Sequence, residues 1–311
     1  MPLDPQVAAF YARKKAAEKK NPGPVTVDQM RRNADAAFHD KITRTDIYRT
    51  EERWISTPEG QLPIRLYWPE ERADLPILLY FHGGGFIMHN LASHDSLCRM
   101  LAKSGCCLVI SVGYRLAPEF PYPAAVNDAY SALCWAFQNA SSIGGDANRL
   151  STAGDSAGAN LSAALSLMSR DKKGPLLQNQ LLFYGTYGCV SIDESESVRL
   201  FGGGEYVLPK PMLRLCEDLY TPSGVDPMDP YRFPGKASDL TGLPRTLSVT
   251  AEFDPLREDG EVFTKKLEEA GNTVTHIRAP GLMHGFLLYW HEFTRAQEIL
   301  AEAGKFLRLE K

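Results

Sequence analysis

The spacing of hydrophobic residues changes near residue 53, and this change divides the chain into two kinds of structure. Residues 3–20 have helical composition and end at a Pro-Gly-Pro breaker. Thr26, followed three residues later by Gln29, resembles a capping box and predicts a second helix through about Phe38. The chain therefore begins with two predicted helices and no strand.

From residue 53 onward the pattern predicts strands that alternate with helices. Two segments alternate between apolar and polar residues, and several later ones are almost unbroken apolar runs, which is typical of strands covered on both faces. The predicted strands are 54–56, 63–68, 77–81, 106–110, 149–153, 180–184, 245–251 and 273–279. The predicted helices between them include 93–103, 122–139 and 157–168. This alternation predicts an α/β fold built on a mostly parallel, doubly wound sheet.

Two segments stand outside this alternation and are candidates for a cap. Residues 1–48 precede every predicted strand, so they cannot belong to the sheet's winding. Residues 186–236 interrupt the alternation with prolines, a Gly-Gly-Gly run, several aromatic residues and a predicted helix at 212–220. An insertion of that length is often an active-site lid. We therefore expect an N-terminal cap segment at 1–48 and a catalytic domain at 49–311, whose insertion also contributes to the cap.

Composition narrows the classes of protein that fit this pattern. A chain of 311 residues with 44% hydrophobic content can bury one large core. Its net charge of −4 and pI near 6.0 argue against a nucleic-acid partner. The six cysteines have no metal-ligand spacing, which favours reduced core thiols. The sequence contains no long apolar run and no signal-peptide pattern, so we expect a cytoplasmic protein without a membrane partner.

The segment Gly154-Asp155-Ser156-Ala157-Gly158 lies between a predicted strand and a predicted helix. A serine held between small residues at such a junction is typical of a nucleophile elbow, in which a strained turn raises the hydroxyl above the sheet. A tight turn with an ordinary serine is the alternative interpretation of the pentapeptide alone. The flanking strand and helix favour the elbow, and they make Ser156 the candidate nucleophile.

A glycine run, His82-Gly83-Gly84-Gly85-Phe86, follows the predicted strand at 77–81. Consecutive glycines expose backbone N–H groups, which can stabilise an oxyanion when they are fixed in place. We predict the amides of Gly83 and Gly84 as donors, together with the amide of Ala157. A flexible turn or a phosphate-binding loop are the alternatives, but the Gly-Lys-Ser/Thr ending of a phosphate loop is missing.

A nucleophilic serine needs a base to accept its proton. Among the seven histidines, His284 is the best placed because it lies in the loop after the last predicted strand. We expect His82 to brace the glycine loop instead, and His276 lies within a predicted strand.

The base in turn needs a carboxylate that orients it. Asp254 follows a predicted strand and is held by the rigid turn at Pro255. Glu252, Glu258 and Asp259 are its rivals, although the last two have the pattern of solvated acids in the first turn of the next helix.

The chain order Ser156, Asp254, His284 is the order found in α/β-hydrolases. Together, the motifs identify the chain as similar to the hormone-sensitive lipase family of esterases, from about residue 54 to the C-terminus. The motifs that carry the resemblance are 82–86, 114–119, 121–125, 154–158, 254–256 and 284–286. One departure is Ala159, which stands where many members have another glycine. The segments 252–256 and 287–289 and the insertion look most like the bacterial acetyl-esterase branch.

The resemblance implies an eight-stranded α/β-hydrolase sheet with a helical cap. It also implies a serine carboxylesterase that acts on short-chain, acetyl-type esters without a metal or cofactor. We expect a small-molecule ester substrate and a monomer or homodimer. The predicted acyl pocket consists of Phe86, Met88, Phe201, Tyr206, Leu208 and Leu282. Two alternatives are a non-catalytic small-molecule receptor on the same fold, and an amidase or acyltransferase that uses the same triad.

Overall fold

The computed structural model describes residues 2–17, 25–38 and 45–308. Its strands are β1 (Arg49–Thr57), β2 (Gly60–Trp68), β3 (Leu75–Phe81), β4 (Leu108–Val112), β5 (Gly145–Asp155), β6 (Leu177–Phe183), β7 (Arg245–Phe253) and β8 (Val274–Met283). They form one eight-stranded sheet in the order β1-β2-β4-β3-β5-β6-β7-β8. The pairs β1–β2 and β2–β4 are antiparallel and the other pairs are parallel. The predicted α/β fold with a mostly parallel sheet is confirmed.

The helices are α1 (Pro5–Ala17), α2 (Val27–Phe38), α3 (Asp95–Gly105), α4 (Ala124–Asn139), α5 (Ala157–Asp171), α6 (Glu196–Phe201), α7 (Lys210–Tyr220), α8 (Arg257–Glu269) and α9 (Thr294–Arg308). Within the described part of the chain, no helix is long and apolar enough to cross a membrane. The helix predicted at residues 3–20 is present as α1, and its last three predicted positions lie outside the described residues.

Helices cover both faces of the sheet, which explains the unbroken apolar strands. In β3, Ile77 and Leu79 pack into a cluster with residues of α4 and α5, whereas Leu78 and Tyr80 pack into a second cluster with residues of α3 and α9. Both sets must be apolar because neither face of this strand reaches water. At the edge of the sheet, Trp54 of β1 is 68% exposed.

Local chemistry sets where individual elements begin. The Thr26 hydroxyl accepts a hydrogen bond from the Gln29 amide at 3.2 Å, as predicted for the start of α2. The Gln29 side chain does not complete a capping box, because its Oε1 accepts a hydrogen bond from the Arg32 guanidinium at 2.9 Å instead of from the Thr26 amide. The strand predicted from Cys106 begins later, at Leu108, because Cys106 has a left-handed φ of 48° and ends α3.

The N-terminal helices contact the insertion and the loop after β3. The Tyr11 hydroxyl of α1 accepts a hydrogen bond from the Val207 amide at 3.1 Å. The Arg31 guanidinium of α2 donates to the Ile87 carbonyl at 2.8 Å and pairs with both carboxylate oxygens of Glu119. The two N-terminal helices are thereby tied to segments that connect later strands of the sheet.

The insertion is anchored by a carboxylate that we expected to be solvated. Asp259 is only 5% exposed, and it accepts hydrogen bonds from the amides of Tyr187, Gly188 and Val190. Burial raises the pKa of this carboxyl and outweighs the opposing effect of the amides. The prediction that Asp259 is an exposed first-turn acid is wrong, because its side chain points inward and fixes the start of the insertion.

Candidate active site

The turn at Ser156 has the geometry of a nucleophile elbow. Ser156 joins β5 to α5 with φ 53° and ψ −117°, a strained backbone conformation for a residue with a side chain. A Cβ at Gly154 would lie 2.2 Å from the Gly158 carbonyl oxygen, and a Cβ at Gly158 would lie 1.9 Å from the Phe81 carbonyl oxygen. Both positions therefore require glycine, and the sequence pattern follows from the crowding of the turn.

Three side chains from separate loops meet at this turn. The Ser156 Oγ lies 3.0 Å from the His284 Nε2, and the His284 Nδ1 lies 2.8 Å from the Asp254 Oδ2. Asp254 is fully buried, and its Oδ1 accepts a hydrogen bond from the Leu256 amide at 2.8 Å. This arrangement can pass a proton from the hydroxyl to an imidazole that a carboxylate orients.

The parallel sheet explains why these loops converge. β5, β7 and β8 end at Asp155, Phe253 and Met283, and the three side chains follow directly. Because parallel strands place their carboxyl ends at one edge of the sheet, residues far apart in the chain become neighbours. The candidate residues Ser156, Asp254 and His284 are therefore brought together, and the rival acid Glu258 instead binds Ser195 and Ser197.

The amide of Gly83 is not available to an oxyanion. It donates a hydrogen bond to the Asp155 Oδ1 at 2.9 Å, which contradicts the prediction that Gly83 is an oxyanion donor. Within the described residues, the amides of Gly84, Gly85 and Ala157 have no hydrogen-bond acceptor. Free amides thus lie one position later in the glycine run than we predicted.

Close packing also explains the identity of these glycines. Gly84 and Gly85 have positive φ values of 115° and 62°. A Cβ at Gly84 would lie 2.2 Å from the Met88 carbonyl oxygen, and one at Gly85 would lie 2.2 Å from the Cys216 Sγ in α7. The loop can therefore hold its amides in place only with glycine at both positions.

Asp155 is a buried anion that links the elbow to the glycine loop, and its role was not predicted. Its Oδ1 accepts hydrogen bonds from the Tyr80 hydroxyl at 2.7 Å and the Gly83 amide, and it lies 3.1 Å from the His94 Nε2. Burial alone would raise the pKa of Asp155, but His94 and the Tyr80 hydrogen bond outweigh it and lower the pKa to about 2. The carboxylate therefore stays ionised at neutral pH.

Two histidines near Asp155, the buried His82 and the half-buried His89, remain neutral at pH 7. Burial, together with the neighbouring His94, lowers the pKa of His82 and of His89 from 6.5 to about 3. The His82 ring stacks on Tyr114 at 4.3 Å, and its Nδ1 lies 2.8 Å from the Gly83 carbonyl oxygen. This contact agrees with the expectation that His82 braces the glycine loop.

The lowered pKa values of these two histidines predict that the folded protein loses stability in acid. Between pH 6.5 and about 3 the unfolded chain binds protons at His82 and His89 that the folded chain excludes. Each histidine should therefore lower the free energy of unfolding by about 1.4 kcal/mol per pH unit as the pH falls, or about 2.7 kcal/mol for both. Urea unfolding at pH 7, 6 and 5 measures the slope. His89→Gln should remove about half of it, and an unchanged slope in this variant would contradict the assignment.

The predicted acyl pocket is only partly supported. Leu282 is fully buried in the core cluster that includes residues of α9, and Phe86 is 3% exposed and stacked on Tyr220 at 3.7 Å. Neither side chain can form the wall of an open pocket, so these two predictions are wrong. Both lie next to residues of the site in the chain, but their side chains turn into packed layers.

The other pocket candidates are partly exposed. Phe201 and Tyr206 pack around Phe253 with ring centroids 5.6 and 5.7 Å from it, and Phe253 directly precedes Asp254. Leu208 packs against a small cluster that contains Leu256. Met88 follows the glycine loop and is half-buried. Phe253 was not predicted, because it reads as an ordinary strand residue in the sequence.

The site has a strained serine between a strand and a helix. The histidine contacts this serine, the aspartate contacts the histidine, and both follow the serine in the chain. These features define the α/β-hydrolase class of serine hydrolases. A family described as having the alpha/beta hydrolase fold matches residues 78–288. Carboxylesterase NlhH of Mycobacterium tuberculosis is 39% identical over 247 residues, which cover 77% of this chain and 76% of that protein. The chain belongs to the hormone-sensitive lipase-like family of α/β-hydrolases, and the curated relatives that it matches are carboxylic ester hydrolases.

Two further similarities agree with this placement. An acetyl esterase of Salmonella dublin is 35% identical over 256 residues, which cover 81% of this chain and 77% of that protein. The structure of a hyperthermophilic esterase from the archaeon Pyrobaculum calidifontis superposes with a TM-score of 0.92 at 31% identity, covering 99% of this chain and 98% of that one.

Proposed function

We propose that this protein hydrolyses short-chain, acetyl-type carboxylic esters through an acyl-enzyme intermediate on Ser156. The observation that carries the proposal is the series of contacts from the Ser156 hydroxyl to the His284 imidazole at 3.0 Å and on to the Asp254 carboxylate at 2.8 Å. This contact argues against the receptor alternative, because a receptor has no need of a base aligned with the serine.

In the proposed reaction, His284 accepts the proton of Ser156 as the hydroxyl oxygen attacks the ester carbonyl. Asp254 holds the imidazole by accepting a hydrogen bond from Nδ1, so that Nε2 is free to act as the base. His284 then donates the proton to the departing alcohol. A water molecule deprotonated by the same imidazole releases the acid from Ser156.

The negative charge on the carbonyl oxygen needs fixed donors. We assign this role to the amides of Gly84, Gly85 and Ala157, because they have no acceptor among the described residues. Asp155 supports the assignment because its carboxylate accepts the Gly83 N–H at 2.9 Å. This hydrogen bond fixes the start of the glycine loop and thereby the direction of the next two amides. Each such donor typically contributes about 10²- to 10³-fold to the rate.

We assign residues 1–48 and the insertion at 186–236 to a cap over a catalytic domain that spans 49–311. Support comes from the hydrogen bond between Tyr11 and Val207 and from the packing of Tyr11 against Tyr206 at 6.0 Å. The acyl pocket would then lie between the insertion and the sheet edge, with Met88, Phe201, Tyr206 and Leu208 as its walls.

A pocket closed by aromatic rings should limit the length of the acyl chain. We expect kcat/KM for p-nitrophenyl esters to be highest for acetate to butyrate and at least about tenfold lower for octanoate, since even one methylene that does not fit costs about tenfold or more. Phe201→Ala should shift the optimum to longer chains. Leu200→Ala is the matched control, because Leu200 is the preceding residue of α6 and is 46% exposed. A rate that rises steadily toward long chains in the wild type would contradict the short pocket.

A further inference from the structure

Arg232 of the insertion is a buried cation that contacts no carboxylate among the described residues. It is 5% exposed, and its only side-chain hydrogen bond within the described residues runs from Nε to the Thr221 hydroxyl at 2.6 Å. Across the same part of the chain, no carboxylate oxygen lies within 4.0 Å of its guanidinium. Glu217 and Asp229 act on it only from greater distances.

The rings of Phe233, Tyr220 and Phe86 lie 4.5, 4.9 and 5.5 Å from the guanidinium carbon and attract its charge, but no anion in the described residues neutralises it. The guanidinium has five N–H donors and remains protonated at neutral pH, even though burial lowers the pKa of Arg232. Four of those donors, on the two terminal nitrogens, have no acceptor in the described residues. The Tyr220 hydroxyl nearby is also buried and has no hydrogen-bond partner among the residues that the structure describes. Within the described ranges, the surroundings of Arg232 thus contain several hydrogen-bond donors and no anion.

The guanidinium of Arg232 packs against two buried aromatic rings, one of which belongs to the residue that follows the glycine loop. Its guanidinium carbon lies 5.5 Å from the ring centroid of Phe86, which directly follows Gly85, and 4.9 Å from that of Tyr220. Its carbonyl oxygen accepts a hydrogen bond from the Asn160 side chain at 3.2 Å. Asn160 lies four residues after Ser156, about one turn along α5. Arg232 is therefore packed between the insertion, the glycine loop and the helix that begins at the nucleophile.

We propose that Arg232 binds a carboxylate carried by the ester substrate, so that the preferred substrates include monoesters of dicarboxylic acids. The planar guanidinium can donate two parallel hydrogen bonds to a carboxylate, and the apolar rings around it strengthen that interaction by excluding water. The proposal depends on the hydrolase function proposed above. A free carboxylic acid, such as the product of hydrolysis, could bind Arg232 through the same carboxylate group. The experiment distinguishes this acid from the ester substrate.

The experiment compares matched pairs of methyl esters. Monomethyl succinate and monomethyl glutarate are paired with neutral esters in which an isopropyl group replaces the carboxylate, and kcat/KM is measured for each. Arg232→Gln should reduce the ratio of the anionic to the neutral rate constant by about 10- to 100-fold, the value of a charge-assisted hydrogen bond of roughly 1.5–3 kcal/mol. Arg232→Lys, which keeps the charge and loses the planar fork, should restore part of the ratio. An equal ratio in wild type and Arg232→Gln would overturn the proposal.

A binding measurement separates this proposal from the hydrolase assignment. In Ser156→Ala, monomethyl glutarate should raise the melting temperature, and its neutral partner should not, whether or not Ser156 is the nucleophile. Succinate and glutarate added alone test the free acid as occupant: protection by them but not by the monoesters would overturn the substrate role. Failure of both esters to react in the wild type would count against the proposed function only. If Arg232→Gln does not fold, the absence of protection in Ser156→Ala still refutes the site.

Discussion

Ser156→Ala should lower kcat for p-nitrophenyl acetate by about 10⁵- to 10⁶-fold, as expected when a catalytic nucleophile is removed. The reason is that no other hydroxyl contacts the His284 Nε2, which lies 3.0 Å from the Ser156 Oγ, within the described residues. The substitution keeps a Cβ at a position that already accommodates one, so the strained turn should still form. Stopped-flow release of p-nitrophenol and a thermal unfolding curve measure the two effects separately.

Ser162→Ala is the matched control for this variant. Ser162 lies on α5, six residues after Ser156, and its hydroxyl is buried without a hydrogen-bond partner in the described residues. Its removal should leave kcat within about threefold. A burst of one p-nitrophenol per wild-type active site would support the acyl-enzyme. A Ser156→Ala variant with more than a hundredth of the wild-type rate would exclude this serine as the nucleophile.

The fold could be predicted because its strands follow a simple physical rule. β3 is covered by helices on both faces, and such a strand must be apolar at Ile77, Leu78 and Leu79 alike. The elbow could be predicted for a similar reason, because the close approach at Gly154 and Gly158 leaves no space for a Cβ. Steric rules of this kind act within a few residues and therefore leave a clear pattern in the sequence.

The donors of the glycine loop could not be predicted in the same way. A run of three glycines leaves the backbone free to point any of its amides toward the serine. The choice depends on Asp155, whose carboxylate takes the Gly83 amide, and on the packing of α7 against Gly85. These contacts join residues 72 and 131 positions apart in the chain, as counted between 83 and 155 and between 85 and 216, and no local pattern records them.

Residues adjacent to the site were misjudged because position along the chain does not set the direction of a side chain. Leu282 stands two residues before His284 and yet turns into the core. Asp259 has the sequence pattern of an exposed helix acid and yet binds three backbone amides. The orientation of each depends on the insertion and on the helices that cover the sheet, which appear only in the folded chain.

Asp254→Asn should lower kcat by about 10⁴-fold while leaving KM within a few-fold, because the asparagine would stabilise the wrong tautomer of His284. Asp254 Oδ1 accepts a hydrogen bond from the Leu256 amide at 2.8 Å, so the oxygen of an asparagine would keep that contact and its NH₂ group would face His284 Nδ1. The imidazole would then carry its proton on Nε2 and could not accept one from Ser156. Steady-state kinetics with p-nitrophenyl acetate measure the loss. Glu258→Gln, which alters the rival acid bound to Ser195, should keep activity within about threefold. A loss below tenfold in Asp254→Asn, or a larger loss in Glu258→Gln, would transfer the orienting role away from Asp254.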